Sequence, residues 1–272
     1  MKIVLPQSLC PVEIADLIRL GQVGDGGYVL PRICIEQAEV LLSFGLSANW
    51  EFEKAFLKEK ENNRVDIYVY DHTVDASYLR KYRIKSLVHL FLSRQKKFWA
   101  AFKMARGYET FFDSKNATHY LEKVSYKDGP DESSIKTILS RIDKNKKIFL
   151  NMDIEGSEYR VMDDLINYAD RFVGMGIEFH ELDILRRNFW ELHEIISKYF
   201  AVAHIHVNNV AGLGPDDFPN ILEITYINRN LFKQEPRASS KLYPLEELDM
   251  PNSIDREDYL LSFVDSSTGE II

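Results

Sequence analysis

The chain has 272 residues, of which 45% are hydrophobic, 12% aromatic and 28% charged, with a formal net charge of −8. That length suits one large domain with insertions, at the usual ~100 to 200 residues per domain, and the apolar content excludes a disordered chain. The acidic balance argues against nonspecific attraction to nucleic acid, Cys10 and Cys34 fit neither a disulfide framework nor a zinc spacing, and no apolar run reaches the ~18 residues of a membrane span.

Met1 to Leu9 carries a short apolar run broken by Pro6 and lacks the longer apolar core of a signal peptide, so a cytoplasmic location is expected. Gly24, Asp25, Gly26, Gly27 and Tyr28 read as a tight turn leading into an N-terminal hairpin. Glu39 to Phe44 is a short apolar strand ending at Gly45, and Asn49 to Lys60 has helical spacing. Asp66 to Tyr70 is a second strand, ending at Asp71. Lys81 to Tyr120 breaks the alternation: aromatic residues such as Phe98, Trp99 and Phe102 interleave with Lys96, Lys97 and Arg106, and a helical cap over residues 80–120 is expected. Such a mixture could stack on and neutralise a phosphorylated sugar or nucleotide.

Lys147 to Met152 and Phe172 to Phe179 are two further strands, and Leu182 to Tyr199 is an amphipathic helix with Leu185, Phe189, Leu192 and Ile196 near the 3.6-residue period. Phe200 to Val207 and Ile221 to Ile227 are joined by a connection, Gly212 to Pro219, too short for a crossover helix, which predicts an antiparallel hairpin at one sheet edge. Glu235 to Ile272 forms a C-terminal extension whose role is open: subunit contact, flap or loose end. The whole reads as a single α/β domain with a mostly parallel sheet covered on both faces.

The chemistry concentrates at strand ends, where open α/β sheets bind ligands. The richest stretch is Met152, Asp153, Ile154, Glu155, Gly156, Ser157, Glu158, in which a strand runs into three carboxylates; Glu158 also suits the dipole of the helix that follows. Gly45 and Ser47 follow the first strand without a GxGxxG or P-loop fingerprint. Asp71 occupies the position where an acid accepts ribose hydroxyls, with His72 beside it to border an adenine. Glu178 and His180 end another strand, and the alternation His204, Ile205, His206 puts two imidazoles on one face. Histidine at such an edge can take a proton from a hydroxyl, with carboxylates to orient it. The same acids and histidines could hold Mg²⁺ or Mn²⁺; the reading adopted assigns no metal ligand.

Together these pieces resemble the FkbM-type class I S-adenosylmethionine-dependent methyltransferases. The matching stretches are Gly24 to Tyr28 (GDGGY), Ser43 to Gly45 (SFG), Val69 to Asp71, Met152 to Glu158 (MDIEGSE), Ile177 to His180 (IEFH), His204 to Asn209 (HIHVNN) and Pro219 to Tyr226 (PNILEITY). The resemblance implies a Rossmann-like, seven-stranded class I methyltransferase sheet. It implies a sugar O-methyltransferase of bacterial surface polysaccharide biosynthesis, with a glycan or nucleotide-activated sugar as acceptor. The oligomeric state is open, a homodimer being the commonest closed assembly. The alternatives are an N-methyltransferase and a catalytically silent binding relative. Cofactor-binding candidates are Phe44, Gly45, Ser47, Asp71, His72, Asp153, Gly26 and Gly27. Catalytic candidates are His180, Asp153, Glu155, His204, His206 and Glu178. Two departures stand out: Ser47, Ala48, Asn49 and Trp50 replace a more glycine-rich loop, and residues 81–120 have no counterpart.

Overall fold

The computed structural model describes residues 1–47, 49–60, 64–75, 77–78, 80–81, 84, 106–114, 116–214 and 216–265. The chain opens with strand β1 (Lys2–Pro6), the hairpin of β2 (Leu17–Gly21) and β3 (Gly27–Pro31), and helix α1 (Arg32–Gln37). Strand β4 (Val40–Phe44), helix α2 (Glu51–Glu59), β5 (Asp66–Tyr70) and β6 (Ala117–Tyr120) follow, then a small pair, β7 (Lys123–Ser125) and β8 (Glu132–Ser134). The remainder alternates: α3 (Ile135–Ser140), β9 (Ile148–Met152), α4 (Glu158–Ile166), β10 (Phe172–Phe179), α5 (Leu182–Ser197), β11 (Phe200–Val207), β12 (Leu222–Asn228) and β13 (Leu260–Val264).

Seven of these strands form one sheet in the order β11-β12-β10-β9-β4-β5-β6. The five from β10 to β6 run parallel, and β12 is antiparallel to both its neighbours. This is the mostly parallel sheet with an antiparallel hairpin at one edge that the sequence predicts. Central strands read as unbroken apolar runs, VLLSF in β4 and IFLNM in β9, every residue buried, because helices cover both faces. Val40, Leu42 and Phe44 enter one core with Leu150 and Met152, while Leu41 enters the other with Phe149. Chain order reverses at β4, with β5 and β6 on one side and β9 and β10 on the other.

Two expectations change. Of the segment expected as a helical insert, residues 85–105 lie outside the described residues, and residues 106–112 are helical. Ala117–Tyr120 is no part of an insert: it is β6, paired in parallel with β5. Four residues reading ATHY carry too little periodicity to announce a strand. The C-terminal extension, as far as residue 265, is packed onto the fold: β13 pairs in parallel with β1, and residues 249–258 lie against the ends of β11 and β12 through hydrogen bonds detailed below. Among the described residues, no helix is long and apolar enough to cross a membrane.

Candidate functional site

The reversal of strand order leaves a crevice beyond the carboxyl ends of β4, β5 and β9, the place where open α/β sheets take ligands. Gly45 ends β4 with φ +85°, and a methyl group there would lie 1.7 Å from the Asp153 carbonyl oxygen, so only glycine lets the ends of β4 and β9 approach. The contact is fastened by the Asp153 amide, which donates to the Phe44 carbonyl at 2.9 Å. A half-open cleft of about 190 Å³ results, and Gly45, Ser47, Asp71, His72, Asp153 and Glu155 all line it. Six of the residues singled out from the sequence therefore meet in one place.

Asp71 is placed as expected but is engaged differently. Its Oδ2 accepts the amides of Leu46 and Ser47 (2.8 and 3.1 Å), and its Oδ1 accepts the Thr73 amide and hydroxyl (both 2.6 Å). Burial pushes its pKa up, but these bonds outweigh burial and hold the carboxyl below its ordinary value. A carboxylate offers about four acceptor positions, and here all are filled. Asp71 thus organises the loop after β4, and a ribose could reach its oxygens only by displacing Thr73 or the loop amides.

The inner wall is built by the stretch after β9. Ser157 donates its amide to the Ile154 carbonyl (3.2 Å), closing a turn whose central residues Glu155 and Gly156 both have positive φ, +53° and +91°. For a non-glycine residue such a backbone costs about 1–3 kcal/mol and recurs at functional sites. The turn aims Glu155 toward the cleft and starts α4 at Glu158, which is wholly buried. Glu158 Oε1 accepts the Ile154 amide and His180 Nδ1, each at 3.1 Å. His180 Nε2 then faces Glu155 Oε2 at 3.5 Å, Asp153 Oδ1 at 3.6 Å and Glu178 Oε1 at 3.9 Å.

One imidazole therefore sits among four carboxylates. Burial alone lowers the His180 pKa, but the Glu158 hydrogen bond and the charges of Glu158, Glu178 and Asp153 raise it to about 9. Burial raises Asp153 to about 7, with Glu155 and Glu158 adding to the shift and His180 opposing it. Burial, Glu223 and Asp153 likewise hold Glu178 well above the usual carboxylate range. These groups exchange protons as a unit. Asp153 Oδ1 and Glu158 Oε2 are buried without a hydrogen-bond partner.

Other candidates lie elsewhere. His204 and His206 do share a strand face, but that face looks onto the C-terminal extension. His204 Nε2 donates to Asp249 (3.0 Å), and both ring nitrogens of His206 donate, to Asp258 (2.9 Å) and Glu223 (3.3 Å). Neither lines the cleft, and the structure gives them a fastening role where the sequence suggests a base; His180 and Glu178 do not line it either, His180 meeting the lining residues Asp153 and Glu155. Phe44 is buried in the core against Tyr70, and only its backbone meets the site. Gly26 and Gly27 leave room for Asn49 and Arg19 at the β2–β3 turn and do not line the cleft.

Sequence reading treats Glu158 as a helix-dipole acid and misses its bond to His180; the signal lies in its five-residue spacing from Asp153. Tyr28 is missed as well: its hydroxyl donates to Glu178 Oε2 (3.2 Å), while Asn208 donates to Oε1 (2.9 Å).

No family model matches the chain, and no curated protein matches it. Among solved structures it is similar to the fibrillarin pre-rRNA processing protein of Methanococcus jannaschii, with 12% identity over 71% of this chain and 68% of that one, at a TM-score of 0.37. It is also similar to precorrin-6y C5,15-methyltransferase of Geobacter metallireducens, with 13% identity over 72% and 84%, at a TM-score of 0.34. Streptococcus pneumoniae Sp1610, in complex with S-adenosyl-L-methionine, gives 8% identity over 72% and 69%, at a TM-score of 0.37. These likenesses are remote, and the weight of any functional reading falls on the cleft.

Proposed function

We propose that the cleft binds S-adenosylmethionine and that the protein methylates a hydroxyl group of a sugar. The acceptor in this reading is nucleotide-activated or belongs to a bacterial surface polysaccharide, and the reaction is cytoplasmic. The observation that carries it is the position of the cleft: it opens where strand order reverses, between the ends of β4 and β5, and Asp153 and Glu155 of the carboxylate–imidazole cluster line it. Ligand sites of α/β sheets fall at that point. The donor set suits this cofactor, because buried carboxylates facing a cavity favour a cation, here a sulfonium and an ammonium.

When bound, the cofactor supplies a methyl group already activated on sulfur. What remains for the chain is alignment of the acceptor and removal of its proton. Gly45 and Ser47 line the cofactor end of the cleft, Asp71 fixes the loop that carries them, and His72 borders the nucleoside. Asp153 and Glu155, in the cleft lining, would hold the methyl-donating end of the cofactor, and the cluster they form with His180 would take the hydroxyl proton.

Calorimetric titration of the purified chain with S-adenosylmethionine and S-adenosylhomocysteine tests this. Micromolar binding, weakened about tenfold or more by Asp153→Asn, is expected, followed by formation of S-adenosylhomocysteine with one of a panel of nucleotide sugars. A folded protein that binds neither compound would sink the reading. Binding of both without turnover on any sugar would leave a binding protein.

A further inference from the structure

Asp153 and Glu155 line the cleft and belong to a group of four carboxylates around one imidazole. Asp153, Glu155, Glu158 and Glu178 all lie within 3.9 Å of His180, and no lysine or arginine pairs with any of them among the described residues. Two of the carboxylate oxygens, Asp153 Oδ1 and Glu158 Oε2, are buried without a hydrogen-bond partner. Unpaired buried charge is costly unless a counter-charge sits against it.

The geometry says where that charge belongs. Glu158 is an acceptor, so His180 Nδ1 carries the proton that joins them, which leaves Nε2 of the neutral ring as a lone-pair donor. A buried carboxylate holding one imidazole nitrogen so that the other points at an open position is the usual support of a metal-binding histidine. One ligand atom from each of Asp153, Glu155 and His180 lies within 4.8 Å of the others, and Asp153 Oδ1 and Glu155 Oε2 stand 3.6 and 3.5 Å from Nε2. Those separations are long for N–H···O bonds, whose usual range is about 2.7–3.2 Å. They are close to the roughly 3–3.5 Å between ligands that share one ion at ~2.1 Å.

We propose that Asp153, Glu155 and His180 hold a divalent cation of the Mg²⁺ or Mn²⁺ class on the wall of the cleft. Two carboxylates and one imidazole suit such an ion, and the two carboxylate residues, Asp153 and Glu155, also line the cleft. The binding site stands on its own geometry; its use in orienting a sugar hydroxyl rests on the methyltransferase reading above.

The test is Mn²⁺ titration of the chelator-stripped, desalted full chain, followed by electron paramagnetic resonance of free Mn²⁺ and by calorimetry in two buffers, without any other ligand. One saturable site per chain is expected, displaced by excess Mg²⁺ and releasing protons as it fills, because His180 must be neutral to ligate. Glu155→Gln is on an exposed side chain and should fold; it should weaken binding about tenfold or more. Asp153→Asn should remove it, while Asp216→Asn, on an exposed side chain paired with Arg186, should leave it unchanged. Absence of saturable binding would overturn the proposal, as would unchanged affinity in Glu155→Gln and Asp153→Asn. So would loss caused instead by Asp25→Asn, in a second acidic group that shares Glu178 with the first and adds Glu223. A parallel titration with S-adenosylmethionine in chelator separates the two readings: metal without cofactor leaves the cation site standing, and cofactor without metal removes only the cation site.

Discussion

Gly45 and Asp71 show how single residues hold this site open. Both were legible as strand-end residues, yet their work differs from what position alone suggests. Gly45 is glycine because a neighbouring strand end, rather than a ligand, occupies the space where a side chain would go. Gly45→Ala should cost on the order of 2–4 kcal/mol in a urea titration and abolish ligand binding in the cleft, since it combines a steric clash with a left-handed backbone. Asp71→Asn replaces an acceptor by an amide whose N–H₂ meets backbone donors. A loss of roughly 1–3 kcal/mol is expected. If Asp71 served only a ligand, the same change would leave the melting temperature unmoved.

At the scale of elements, the C-terminal extension is the clearest case of structure deciding what sequence left open. Its two histidine clamps join β11 to the segment around Asp249 and Asp258. Burial raises the Asp249 carboxyl, but the charge and hydrogen bond of His204 outweigh it and hold the pKa below its ordinary value. A depressed carboxylate contributes stability above its unfolded pKa of ~3.9 and loses it as pH falls through the folded value. His206 is opposite in sign: burial lowers it, but Asp258 and Glu223 raise it well above the usual histidine value. Its contribution is complete below the unfolded pKa of ~6.5 and is lost as pH rises through the folded value. The clamps should therefore be strongest between about pH 4 and about pH 6.5 and weaken as pH rises further. Thermal melts across pH, with His206→Gln, check this; the variant should lose stability at neutral pH and show a flatter alkaline limb. An alkaline limb identical in both proteins would mean that His206 does not fasten the extension.

For the molecule as a whole, stability rests on the two apolar layers that cover the sheet. Leu150 is fully buried at the centre of β9, and Leu242 is 87% exposed. Leu150→Ala should cost about 2–5 kcal/mol, and Leu242→Ala should stay within about 0.5 kcal/mol, by denaturant titration. Since β9 also carries Asp153 at its end, a weakened core there should loosen the cleft before the distant hairpin.

How much of this was written in the chain follows from the range of each signal. Local periodicity and composition sufficed for β4, β5, β9, β10, α5 and the β11–β12 hairpin, because strands buried on both faces must be apolar throughout and an amphipathic helix must repeat near 3.6 residues. They also sufficed to mark Gly45, Asp71, Asp153, Glu155 and His180 as strand-end chemistry. Tertiary structure decided the rest. Strand β6 is too short to show a period and exists because β5 offers it an edge; β13 is a strand because β1 lies beside it. His204 and His206 share a face in the sequence, but what that face meets depends on a segment more than 40 residues later. Glu158 bonds a histidine 22 positions away. Period and propensity are properties of neighbours along the chain, whereas a hydrogen-bond partner is fixed only when the whole sheet has closed.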